Sequence, residues 1–183
     1  LHATFMPKPV YGIAGSGMHV NQSLFKEGRN LFFDPQAPDQ LSQECLYYIG
    51  GLMKHARAFT AFTNPIVNSY KRLVPGHEAP LYVTWAKKNR SPMIRIPAPR
   101  GKSTRVEVRS PDPSCNPYLA IGLMLRAGLD GLENRIDPGE AMNVNLYQLS
   151  PQEIAQRQLQ TLPASLEEAL QAFGEDTLLQ EAL

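Results

Sequence analysis

The chain has 183 residues, enough for one ordinary domain with a real core, and 43% hydrophobic content with 19% charged residues places it among folded rather than disordered chains. No apolar run approaches the ~18 residues of a membrane span; the longest, at 118–125, stops at Arg126. Net charge is only +1, yet residues 71–109 carry 10 basic and 2 acidic side chains, while residues 110–183 carry 3 and 11. So basic a middle segment calls for anions such as phosphates, carboxylates or nucleic acid, or else for pairing with the acidic tail or a solvated face.

In chain order, residues 4–25 read as strand, Gly-rich turn and strand, with Pro7 and Pro9 confining the first strand to an edge. From Ser42 to about residue 62, Cys45, Ile49, Leu52, Met53, Ala56 and Phe59 recur at helical spacing, and Asn64-Pro65 ends that helix. LVPGHEAP is a Pro/Gly-bounded loop. Short strands follow at 81–85 and 93–96, then the turn APRGKS and the strand RVEVRS. Asn116-Pro117 opens a helix that runs to about Asn134. A polar loop comes next, and Ser165 with Glu168 forms a capping box for a final helix. This mixture predicts an α+β fold with a largely antiparallel, curved sheet and flanking helices. Cys45 and Cys115 lie far apart with no metal-type spacing, and they read as reduced packing thiols of a cytoplasmic protein.

Alternation along TRVEVRS puts Thr104, Val106 and Val108 on one strand face and Arg105, Glu107 and Arg109 on the other. GMHVNQSL repeats the arrangement with His19, Asn21 and Ser23, and MIRIP with Arg95. A polar face alone is ordinary in an antiparallel sheet. Here, though, it holds Arg, His, Asn and one Glu rather than the Lys, Glu, Thr and Gln of a solvated face. Arg72, Arg90, Arg95, Arg105 and Arg109 outnumber the nearby acids Glu78 and Glu107. If they converge, a bound anion has to offset the desolvation of the guanidiniums. His19 and Glu107 on facing strands can offer a nitrogen and an oxygen to a divalent ion, although a lone His is more often structural. GIAGSG has neither Walker A nor Rossmann spacing. There is also no aromatic ladder for nucleic-acid bases.

The runs FMPKP, GSGMHVNQSL, NPIVNSYKRLVPGHEAP, NRSPMIRIP, RVEVRSPDPSCNPYLA and AGLDGLENRI resemble the catalytic domain of type I glutamine synthetase over nearly the whole chain. The resemblance implies ATP-dependent ligation of glutamate and ammonium through a γ-glutamyl phosphate, with Mg2+ or Mn2+. It also implies that residues 1–183 are the C-terminal part of that catalytic domain. The first part of the domain and a small N-terminal β-grasp domain would then lie elsewhere in a dodecameric protein whose sites form between subunits, and the chain alone would be inactive. Matched by position, His19 and Glu107 correspond to metal ligands. Gly15, Arg72, Glu78, Arg90 and Arg109 correspond to the glutamate site. Asn21, Ser23, Arg90, Arg95 and Lys102 correspond to the ATP site. Glu78, Arg90 and Arg109 are the implied catalytic groups, Glu78 standing on a lid that takes the ammonium proton and excludes water.

Two departures from the family pattern stand out. Ala14 occupies a place that commonly holds Asn. The short connection from Arg95 to Glu107 resembles the subgroup without an inserted segment, which implies glutamine feedback, leaves room for a regulatory protein partner, and makes Tyr147 an ordinary surface tyrosine. A non-catalytic structural or regulatory relative and a ligase for other amines are the alternatives. Neither a nucleic acid nor a membrane is an expected partner.

Overall fold

The computed structural model of the protein describes residues 3–74, 79–87, 89, 91–144 and 146–183. The amphipathic pattern after Ser42 folds as two helices rather than one. The Ser42 hydroxyl caps α1 (Gln43–Lys54) by accepting from Cys45 N at 3.1 Å, and the chain then breaks at His55 before α2 (Ala56–Thr63). The break turns the His55 ring inward. Its Nδ1 meets Asp176 Oδ2 at 2.5 Å, and its Nε2 meets Asp130 Oδ2 at 3.0 Å, beside Lys54 Nζ at 2.9 Å. Both ring contacts are hydrogen bonds only when both nitrogens carry protons. Burial acts to raise the Asp130 carboxyl, but hydrogen bonds from His55 and Lys54 more than offset it and hold the group below its ordinary range. His55→Ala would leave two buried or half-buried carboxylates without their shared donor. We expect a loss of about 3 kcal/mol, read as a thermal midpoint lower by roughly 6–12 °C; an unchanged midpoint would refute the bridge.

Asn116 caps α3 (Pro117–Glu133), as the sequence predicts. Helix α3 crosses α1 at glycines, because a Cβ on Gly51 would lie 2.1 Å from Ala127 O and one on Gly131 2.1 Å from Tyr47 O. Beyond α3, the stretch read as a polar loop contains α4 (Pro151–Gln156), opened by a complete capping box between Ser150 and Glu153. Ser165 caps α5 (Leu166–Gly174), but Glu168 accepts from Ala164 N, so only half of the expected box forms. The described chain ends with α6 (Thr177–Gln180), capped by Asp176. Among the described residues no helix is long and apolar enough to cross a membrane. Cys45 and Cys115 are buried free thiols, pushed up by burial to about 12 and about 11.

The strands are short: β1 (Val20–Gln22), β2 (Phe25–Lys26), β3 (Arg29–Asn30), β4 (Trp85–Ala86), β5 (Ile94–Arg95) and β6 (Val106–Val108). Strands β2 and β3 form a separate hairpin, and the other four form one sheet in the order β1-β6-β5-β4. The β1/β6 and β6/β5 ladders are antiparallel, as expected, whereas β4 and β5 run parallel. The strand expected near residues 4–10 is absent. Pro7 and Pro9 have no N–H to give a ladder, and Asn68 instead brackets Lys8, accepting from its N at 2.7 Å and donating to its O at 3.0 Å. The result is an α+β fold in which Val106, Val108 and Ile94 share one buried cluster with Leu52, Phe59 and Met124.

Candidate active site

Register decides what meets what. Asn21 lies opposite Glu107, and Glu107 opposite Arg95, which forms one row of side chains across β1, β6 and β5. The alternate row, Val20, Val108 and Ile94, faces the core. The expected division of TRVEVRS into two faces is therefore present, but the charged face is not bathed in solvent: Glu107 is 6% exposed and Arg109 4%.

Glu107 is the centre of the cluster. Arg95 Nη2 donates to its Oε1 at 3.1 Å, and Arg95 Nε approaches Oε2 at 2.6 Å. Arg109 Nη1 stands 3.6 Å from Oε2, and His19 Nδ1 stands 3.5 Å from Oε1. Burial first, and then the Arg109 charge, pull the His19 imidazole below its ordinary value despite the counteracting Glu107 carboxylate. His19 is thus neutral at pH 7, with a lone pair available. Burial likewise lowers Arg109; Glu107 works against that shift and Arg95 adds to it. The same holds for Arg72, where burial leads, Asp112 opposes and Arg109 reinforces. Cations here are crowded around few anions.

Arg72 lies behind this row. Its Nη1 donates to Ser110 O at 2.7 Å and its Nη2 to Arg109 O at 3.1 Å, so it grips the backbone that carries Arg109. Asn64 Nδ2 donates to the same Ser110 carbonyl at 2.9 Å. A Cβ at Gly17 would sit 2.4 Å from Arg72 Nη2, so any other residue there would have to displace that guanidinium. Gly15 is exposed and close to the Pro7 carbonyl, 2.2 Å from where its Cβ would stand, and Ala14 beside it is also exposed.

Asn21 is exposed, and its Oδ1 accepts from Arg105 Nε at 2.9 Å, which gives Arg105 a partner on the charged face. Ser23 and Lys102 are exposed. Lys102 rides on a turn held by Asn30, whose Nδ2 donates to Lys102 O at 3.2 Å and to Thr104 O at 2.7 Å. Sequence reading missed this clamp; the signal for it was the Glu27-Gly28 turn, whose positive φ angles of 52° and 76° close the hairpin bearing Asn30. Tyr147 is half-buried rather than a plain surface residue, and its hydroxyl donates to Ala79 O at 2.6 Å. Glu78 and Arg90, with the lid reading attached to Glu78, lie outside the described residues.

A neutral imidazole beside a buried carboxylate, of which Oε2 lacks a well-aligned hydrogen bond, fits two ligands of a divalent cation. Among the described residues no third His, Cys, Asp or Glu joins them. The surrounding guanidiniums suit phosphate or carboxylate oxygens.

Comparison with known proteins agrees with this chemistry. The family model "Glutamine synthetase, catalytic domain" matches residues 1–183. Glutamine synthetases of Methanosarcina mazei, Thermotoga maritima and Thermus thermophilus are 60%, 53% and 54% identical over all of this chain, which spans 41%, 42% and 41% of their lengths. A solved GmaS/ADP complex superposes with a TM-score of 0.86 at 36% identity, covering 98% of this chain and 41% of that one. By the match of sequence and fold, the chain belongs to the glutamine synthetase catalytic-domain family.

Proposed function

We propose that this chain supplies one wall of an active site that joins glutamate and ammonium to glutamine at the expense of ATP, within a larger homo-oligomeric protein. It would be the C-terminal part of the catalytic domain. The observation that carries the reading is Glu107, buried between neutral His19 and the guanidiniums of Arg95 and Arg109. The reaction must bring a glutamate carboxylate to the γ-phosphate of ATP. Two like unit charges 4 Å apart repel by roughly 4 kcal/mol at an effective dielectric near 20. Arg95 and Arg109 offset that repulsion and hold charge as it develops on the transferring phosphoryl group.

Arg72 keeps Arg109 in place through the backbone and lies near enough to add its own charge to the glutamate site. Asn21, Ser23 and Lys102 line the approach for the nucleotide, with Arg90 serving both substrates. Gly15 offers backbone to glutamate, and Glu78 accepts the ammonium proton. His19 and Glu107 would hold Mg2+ or Mn2+, which when bound supplies Lewis-acid neutralisation of phosphate charge. The GmaS structure bound to ADP supports a nucleotide in this fold. The relatives that share more than half of its residues support ammonia as the nitrogen donor.

The test is an assay of the full-length protein with glutamate, Mg-ATP and either ammonium or methylammonium. Glutamine and ADP in equal amounts, with ammonium preferred, are expected. No amide product would sink the reading, and preference for methylammonium would replace it with a ligase for other amines.

A further inference from the structure

The turn that follows β6, residues 109–115, starts at Arg109 and is pinned from three sides. Met18 N, next to His19 in the chain, donates to Pro111 O at 2.9 Å. Arg72 grips the carbonyls of Arg109 and Ser110. From the end of α2, Thr63 O accepts from Asp112 N at 3.1 Å. The Asn64 amide splits its two protons there, one going to Ser110 O at 2.9 Å and one to Asp112 Oδ2 at 3.0 Å. Thr63 Oγ1 donates to Asn64 Oδ1 at 2.8 Å, which fixes the way that amide points.

Asp112 is fully buried, and the groups against its carboxylate are donors: Asn64 Nδ2 on Oδ2, with Ser114 N at 3.0 Å and Ser114 Oγ at 2.6 Å on Oδ1. Burying a carboxylate is costly, so packing alone does not explain it. An amide of the same shape would turn its NH2 toward either Asn64 Nδ2 or Ser114 N, and both are donors. The place therefore demands an acceptor on both branches. Its charge is also the chief influence opposing the burial that lowers Arg72. Pro111 and Pro113 flank Asp112 with fixed φ and no N–H, so a shift at Asp112 is passed on to Ser110 rather than absorbed. We infer that Asp112, acting through Asn64 and the Ser110 carbonyl, is a positioning residue for Arg72 and Arg109, and so for the substrate carboxylate they receive. This rests on the proposed ligase reading, which puts both arginines at glutamate.

The test is steady-state kinetics and thermal denaturation of variants of the full-length protein. Asp112→Asn should raise KM for glutamate roughly 10- to 100-fold, the range for losing a hydrogen bond to a charged group, while KM for ATP holds. The direction is diagnostic, because loss of a nearby negative charge would by itself tighten an anionic substrate. Asn64→Ala changes no charge and should raise the same constant roughly 3- to 10-fold. Ser114→Ala is the mildest variant and covers the case in which the other two do not fold. It should raise KM for glutamate only about 2- to 5-fold, since Ser114 N stays on the same oxygen. Parent-like glutamate constants in the folded variants would overturn the inference. So would KM values for glutamate and ATP that rise equally with a lower midpoint, which marks a merely structural role. A parent protein that makes no glutamine removes the ligase reading and this inference with it. That result is distinct from a competent parent whose variants are indistinguishable from it.

Discussion

Glu107→Gln in the full-length protein is expected to lower turnover at least about 100-fold and the thermal midpoint by roughly 6–20 °C. Both effects come from the same charge count. Around this carboxylate stand Arg95 at 2.6 Å, Arg109 at 3.6 Å and the neutral His19 at 3.5 Å. Gln keeps the shape of the side chain and its hydrogen-bond acceptor, so packing is preserved. It removes the negative charge, however, and takes a counterion from the guanidiniums of Arg95 and of Arg109, the latter only 4% exposed. A buried charge deprived of its partner destabilises by about 3–5 kcal/mol, more than the hydrogen bonds that Gln retains can return. On the proposed reading turnover falls further, because Gln replaces an anionic oxygen ligand for the divalent cation with a neutral, weaker one. Raising Mg2+ should therefore recover part of the rate and none of the midpoint. A Glu107→Gln protein with the parent's midpoint would refute the central place given to this carboxylate.

Sequence alone went furthest where a period-2 pattern met chemically unusual residues. Val106 and Val108 on one face, and Glu107 opposite Asn21 and Arg95 on the other, follow from alternation once the strands pair. Alternation along a single strand cannot say which residue of the next strand lies opposite. Nor can it show that Glu107 and Arg109 on the charged face would be buried, at 6% and 4% exposure, while Asn21 beside them stays exposed. The kink at His55 was invisible for a different reason: Gln43–Thr63 has one continuous apolar period, and the break is set by carboxylates 75 and 121 residues away. Helix α4, by contrast, was legible, since S-P-Q-E carries Ser, Pro and Glu at capping positions and should have outweighed the polarity of its surroundings. The parallel pairing of β4 with β5 had no local signal at all, because their apolar runs read alike in either direction. The arginines illustrate the remaining limit. Composition showed that they outnumber the acids, yet only the coordinates separate Arg72, donating to the carbonyls of Ser110 and Arg109, from Arg109, whose guanidinium points to Glu107.

That separation predicts opposite balances of stability and activity for the two sides of the charge cluster. Arg109→Ala should reduce turnover by about 100- to 1,000-fold, the range for removing one preorganised group that stabilises developing negative charge. Its effect on the fold should be small, with a midpoint within a few degrees of the parent. The side chain is buried among other cations, and burial together with Arg95 already disfavours its charge. Removing it relieves that repulsion, and Glu107 keeps Arg95 at 2.6 Å as a counterion. The backbone there does not depend on the guanidinium, because Arg109 N donates to Met93 O at 2.9 Å and its carbonyl is held by Arg72. Arg109→Lys should recover only part of the rate, since an ammonium cannot reproduce the planar, two-pronged grip on carboxylate or phosphate oxygens. Steady-state kinetics and thermal denaturation on the Ala, Lys and parent proteins decide the matter. A Lys variant with full turnover would reduce Arg109 to a source of charge, and an Ala variant that unfolds would make it a structural partner of Glu107 instead.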